Sequence, residues 1–248
     1  MLNLIDLSVP VSPRGSEATP VRVKPVAHGD APGLVGLCPG DFPGGMGVST
    51  EVVELTTHTG THLDAPLHYG PISGGLPARS VSEVPLEWCY GEGVRLDLRD
   101  RGPGEAIEAA DIALAADHAG GIAPGDIVLV WTGCDRLWGT PEYLTDHPGL
   151  TAGAVAHLVE RGVRVVGIDA WGLDRPIRSM LDDYQRTGDS AVLWPAHLYG
   201  RSREYCQLEK LANLGGLPGP RGFRVACFPV NVEGAGAGWA RVVAMVGP

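Results

Sequence analysis

Three of the chain's eight histidines, His58, His62 and His68, fall within eleven residues, and Asp64 stands among them. Imidazole nitrogen and carboxylate oxygen are ligand types that Zn, Mn and Fe accept, and no cysteine accompanies them to suggest a structural zinc site. His58 and His62 are four residues apart. On one turn of helix that spacing puts both rings on the same face, a common way to grip one cation. Pro66 biases Ala65 away from helix, so the turn is expected to be short, with Asp64 and His68 on its extended exit and within reach of the same point. Asp64 adds the negative charge a divalent ion needs, and a carboxylate can bridge two ions. Gly60 permits close backbone approach, while Thr59 and Thr61 can steady the ligands by hydrogen bonds. A site of this composition polarises a carbonyl or activates water to attack one.

The elements that must position these residues follow from periodicity. Thr50–Thr57 reads as a strand leading into the histidine cluster, with Val53 and Leu55 on one face. Ile107–His118 reads as a short amphipathic helix closed by Gly120-Gly121, and Thr151 is placed to cap a helix running to Glu160. Ile127–Trp131 and Val163–Ile168 are continuous apolar runs of the kind buried on both faces. Ser202–Leu214 reads as a helix with Tyr205, Leu208, Leu211 and Ala212 inward, and Phe223–Val232 and Ala240–Val246 as late strands. Residues 10–47 are rich in Pro and Gly and read as loop with short extended pieces. The β–α–β rhythm predicts one α/β domain over residues 1–248, with a mixed β core and peripheral helices.

Composition narrows the function. The net charge is −10, with 29 acidic and 19 basic residues, so the basic stripe of a nucleic-acid binder is not expected. No apolar run approaches the roughly 18 residues of a membrane span, and the first residues carry no signal-peptide pattern. A cytoplasmic protein acting on a small molecule is the expectation. The five cysteines are widely spaced without C-x-x-C, which predicts reduced, mostly buried thiols. Only Lys24 and Lys210 are lysines, against 17 arginines.

The segment His58 to His68 fills every position of H-x-G-T-H-x-D-x-P-x-H, and in this it resembles the metal-dependent cyclase family, which includes bacterial kynurenine formamidases and isatin hydrolases. Asp6-Leu7-Ser8, Val165–Asp169, His197, Glu209 and Gly234–Val246 extend the resemblance over the chain. It implies that His58, His62 and Asp64 hold one metal. It also implies that His197 holds a second, with Asp64 and Glu209 bridging the pair and His68 acting as acid/base. Alone, His197 reads as a loop histidine and Glu209 as a helix-surface carboxylate. The resemblance further implies one or two divalent ions per subunit, Zn or Mn, and a homodimer or homotetramer.

Within the family, Thr56–Gly70, Leu181–His197, Arg203–Leu214 and Phe223–Trp239 are similar to the ring cyclases of bacterial aromatic polyketide pathways. The formamidases' early Trp-Pro-Gly-Asp is replaced here by Cys38-Pro39-Gly40-Asp41, and the stretch Trp171–Trp194 is longer than theirs. The leading expectation is therefore aldol-type ring closure of an aromatic polyketide: a metal stabilises an enolate, His68 removes the C–H proton, and Trp171, Tyr184, Trp194 and Tyr199 wall the pocket. The alternative is hydrolysis of an aryl formamide, lactam or cyclic ester, with His68 passing a proton to the leaving atom. A purely structural metal site is the third class, and it has no use for a proton-shuttling sixth group.

Overall fold

A computed structural model describes residues 2–247. Its strands in chain order are β1 Asn3–Asp6, β2 Arg22–Val26, β3 Thr50–Glu54, β4 His62–Asp64, β5 Ile72–Ser73, β6 Leu76–Pro77, β7 Tyr90–Asp97 and β8 Ala106–Ile107. They continue with β9 Ile127–Trp131, β10 Gly149–Leu150, β11 Val165–Ile168, β12 Cys206–Glu209, β13 Arg224–Ala226, β14 Ala237–Trp239 and β15 Val243–Val246. The helices are α1 Pro66–Tyr69, α2 Ala109–His118, α3 Ala152–Val159, α4 Ile177–Thr187 and α5 Pro195–Tyr199.

The two continuous apolar runs become β9 and β11, paired in parallel at the heart of a nine-stranded sheet ordered β1-β15-β13-β7-β9-β11-β12-β4-β14. Strands β7, β9, β11 and β12 are parallel neighbours, and every other pairing in the sheet is antiparallel. Period-two alternation sends Val128, Val130, Val166 and Ile168 to one face, under Ile112, Ala116, Val155 and Leu158 of α2 and α3. Ile127, Leu129 and Val165 go to the other, against Leu63, Leu208, Leu211 and Phe223. Gly167 is required between these layers: a Cβ there would stand 2.7 Å from Leu211 and 3.0 Å from Leu129. This is the mixed α/β architecture that the β–α–β rhythm predicts. Thr151 caps α3 as expected, its Oγ1 accepting the Ala154 N–H at 3.2 Å.

Three expectations about elements are corrected. Ser202–Leu214 is not a helix; its middle is β12, fully buried in the sheet. Its side chains are good helix formers, but Cys206 and Leu208 fill a core layer that only a strand can reach. The strand expected over 50–57 stops at Glu54 and pairs only with β2, in a ribbon whose β3 side chains are all exposed. The late strand expected over 223–232 covers only 224–226; beyond it, Pro229 has no N–H to give a ladder. All five cysteines are free, and four are buried, Cys38 being the exposed one. Among the described residues no helix is long and apolar enough to cross a membrane.

Candidate active site

The histidine cluster is built on a strand, not on a helical turn. His58 lies in the turn before β4, which carries His62 and Asp64 on one face and sends Leu63 into the core. The turn needs Gly60 at φ 62°, in the left-handed region. Antiparallel pairing then sets Glu209 of β12 directly opposite His62, and Gln207 opposite Asp64. His68 comes from α1 and His197 from α5. All six residues singled out in the sequence thus converge where β11 and β12 end, the usual location of ligand sites in open α/β sheets.

Asp64 is the centre. Its Oδ1 lies 2.9 Å from His58 Nδ1 and 3.4 Å from His62 Nε2, and its Oδ2 lies 3.8 Å from His197 Nε2. Glu209 reaches His62 Nε2 and His197 Nε2, each at 3.6 Å. Donor atoms fall into two groups that share Asp64, one with His58 and His68, the other with His62 and Glu209. This grouping by proximity differs from the one the resemblance implies, which sets His58 with His62. The His58 and His68 rings are 4.3 Å apart, those of His58 and His62 5.0 Å.

These donors suit a cation better than each other. Both oxygens of Asp64 and Nε2 of His62 are buried with no properly directed hydrogen bond. Such groups are costly unless something charged satisfies them. Ligand atoms about 2.0–2.2 Å from a tetrahedral ion stand roughly 3.4 Å apart, close to the 3.4 and 3.6 Å separations around His62 Nε2. The far ring nitrogens are also fixed. His62 Nδ1 lies 2.8 Å from the Gly60 carbonyl, and His197 Nδ1 lies 2.5 Å from Asp174 Oδ2. Each pairing turns an Nε2 toward the carboxylates, as metal-binding histidines require.

The electrostatics express the same demand for positive charge. Burial works against protonating His62, yet the Asp64 carboxylate outweighs it and raises the pKa. Burial likewise opposes charge on His197, but the Asp174 hydrogen bond and charge push its pKa up to about 9. Burial and the Asp64 charge raise Glu209, while burial of Asp64 is overcome by His62 and His58, which hold it well below the ordinary carboxylate range. His68 is different: desolvation, only partly offset by Asp64, and the neighbouring imidazoles push it down to about 4. Its ring is neutral at neutral pH.

Above the donors opens a cavity of about 190 Å³, walled by Trp171, Ile177, Met180 and Trp194. Of the aromatic residues expected to wall it, Trp171 and Trp194 do so. Tyr184 is exposed on α4 and Tyr199 packs against the core. Three further residues buttress the cluster: Asp174, which from sequence alone could be a polar group of the pocket or part of a surface network, and Glu17 and Lys210, which carry no site signal in the sequence. Asp174 accepts the Ala196 and His197 N–H groups besides the His197 ring. Glu17 and Lys210 pair beneath the His58 turn.

Residues 5–175 match the Cyclase family model, described as "Putative cyclase". The chain belongs to the Cyclase family. A kynurenine formamidase of Bordetella petrii is 30% identical over 191 residues, 74% of this chain and 77% of the relative. Isatin hydrolase A from Ralstonia solanacearum has the same fold, with a TM-score of 0.80, 23% identity, and coverage of 99% of this chain and 92% of that one. A "predicted metal-dependent hydrolase" from Bacillus stearothermophilus gives a TM-score of 0.69 at 22% identity, covering 99% of this chain and 98% of that one. This Cyclase-family chain is therefore a member of an enzyme family, with a kynurenine formamidase among its relatives.

Proposed function

We propose that the protein is a metal-dependent hydrolase of a small aryl amide or lactam, cleaving an acyl C–N bond. The observation that carries this reading is Asp64, a fully buried carboxylate whose two unsatisfied oxygens face three imidazoles and a second carboxylate. His58, His62, Asp64, His197 and Glu209 are the residues that would hold Zn or Mn, as one or two ions. When bound, such an ion supplies Lewis acidity for an acyl carbonyl and acidifies water. His68, with a free ring nitrogen at neutral pH, takes a proton from the attacking water and returns it to the departing nitrogen. Asp174 keeps the His197 tautomer fixed. Trp171, Ile177, Met180 and Trp194 bind the aryl group and exclude water.

The formamidase relative supports hydrolysis, and so does cavity size. At about 190 Å³ the cavity is smaller than the roughly 300–1,000 Å³ of drug-sized sites, suiting one or two rings. Polyketide ring closure draws no specific support from these relatives. One observation still favours a larger poly-carbonyl substrate: a groove of about 580 Å³ along α4 shares Trp171 and Ile177 with the site. Turnover decides between the two. The metal-loaded protein is expected to hydrolyse N-formylkynurenine or isatin, with kcat/KM falling about 100-fold or more on chelation or in His68→Ala. Inertness toward both, with ring closure of a poly-carbonyl compound, would reverse the order.

We also propose that the chain works as a homodimer or homotetramer. The β2–β3 ribbon supports this: it leaves Val23, Val52 and Val53 exposed, and two-stranded ribbons are marginal alone in water.

A further inference from the structure

We infer that Glu17 and Lys210 form a buried clamp that positions the His58–His62 turn and so sets the affinity of the site for its divalent ion. The inference rests on the metal-site reading above.

Glu17 lies far from the site in sequence, in the loop after β1, yet it and Lys210 make the most buried Lys/Arg–carboxylate pair among the described residues. Their side chains are 8% and 4% exposed, and Lys210 Nζ is 2.6 Å from Glu17 Oε2. Three polar atoms of the pair are turned on the ligand turn. Lys210 Nζ donates to the His58 carbonyl at 2.8 Å. Glu17 Oε1 accepts the Gly60 N–H at 2.7 Å. The Lys210 carbonyl accepts the Thr61 hydroxyl. The Gly60 carbonyl in turn faces His62 Nδ1, so the clamp reaches the backbone of one ligand and the ring of another.

Two further features set the pair apart from ordinary structural charge. Lys210 holds φ at 58°, a conformation a non-glycine residue keeps only when its surroundings impose it. It also directly follows Glu209, which joins the clamp to the strand paired with β4. A buried ion pair by itself is weak grounds for stability, because well-packed apolar replacements are often neutral. What such replacements cannot supply is the directed side-chain grip on the His58 carbonyl and the Gly60 N–H. Glu17 and Lys210 are therefore positioning residues: neither need touch the ion, and both fix where its ligands stand.

The test is a titration of the chelator-stripped full-length protein with Zn²⁺ and with Mn²⁺, using a competing indicator to read Kd. Wild type, Glu17→Gln, Lys210→Met, Lys210→Arg and the Glu17→Gln/Lys210→Met double variant are compared with Arg221→Met. Arg221 belongs to a different pair, with Asp126, remote from the ligands in the fold. The single clamp variants are expected to weaken Kd about tenfold or more. Lys210→Arg is expected to recover part of the loss, and the double variant to fall well short of the combined single effects. Arg221→Met should lower Tm while leaving Kd unchanged, separating a positioning role from a merely structural one. Glu17→Gln keeps a carbonyl for Gly60 and changes little volume, so it decides the matter if Lys210→Met does not fold. Wild-type binding with Kd unchanged in folded Glu17→Gln and Lys210→Met overturns the clamp alone. A folded wild type that binds neither ion overturns the metal-site reading, and the clamp with it.

Discussion

Asp174 gathers three donors from one short helix: the Ala196 N–H at 2.7 Å, the His197 N–H at 3.1 Å and the His197 ring at 2.5 Å. It is buried, so an asparagine there cannot borrow water to replace what it loses. Asp174→Asn is expected to cost roughly 1–3 kcal/mol of stability and about 10–100-fold in metal affinity. Urea unfolding and metal titration of the same preparation read the two effects separately. Single residues also show what could be read from the chain beforehand. His58, His62, Asp64 and His68 announce themselves by crowding, since four potential ligands in eleven residues are hard to assign to packing. Asp174 gives no such signal, because its partner His197 is 23 residues away and the pairing exists only after α5 folds. Lys210 did leave a trace: it is one of two lysines in a chain that otherwise uses arginine, and it adjoins Glu209.

Among elements, the central strands were legible because burial on both faces leaves an unbroken apolar run, as in Ile127–Trp131. The capped helix α3 was legible because Thr151 and Gly162 mark its ends. β12 was not, since Ser202–Leu214 pairs helix-forming side chains with apolar spacing that fits a helix as well as a strand. The deciding constraint is its insertion between β11 and β4, which no local pattern encodes. The edge strand β1 yields a pH-dependent prediction. Burial tends to raise the Asp6 carboxyl, but hydrogen bonds from Arg241 and Ser8 outweigh it and hold the pKa below its ordinary value. The carboxylate therefore favours the folded state above the unfolded pKa near 3.8, and that contribution is lost as pH falls through the lower folded value. The Arg241 side chain is exposed and that of Asp6 half-buried, so the effect is small and screened by salt. Arg241→Ala is expected to lower the urea midpoint slightly at pH 7 in low salt. By pH 3 the difference from wild type should have shrunk; a constant difference across that range would count against the pair as its source.

At the scale of the whole molecule, the outlying β2–β3 ribbon and the segment joining its two strands expose Leu34, Met46, Val48 and Val52, each more than half accessible. Light scattering after size-exclusion chromatography is expected to give a mass two or four times that of the 26.0 kDa chain. Val48→Glu/Val52→Glu is expected to shift the population toward monomer, whereas a wild-type monomer at micromolar concentration removes the proposed assembly. The sheet order carries a different consequence, for the growing polypeptide. Strand β4, with His62 and Asp64, is flanked by β12 and β14, which are made some 140 and 175 residues later. While the chain emerges from the ribosome, this strand has no edge of the main sheet to join, and the buried carboxylates Asp64 and Glu209 are still apart. The proposed ion-binding centre is thus a late product of synthesis. A chain halted before Ala237–Trp239 lacks the strand that closes β4 on its outer side, so truncated products are not expected to assemble the intact centre.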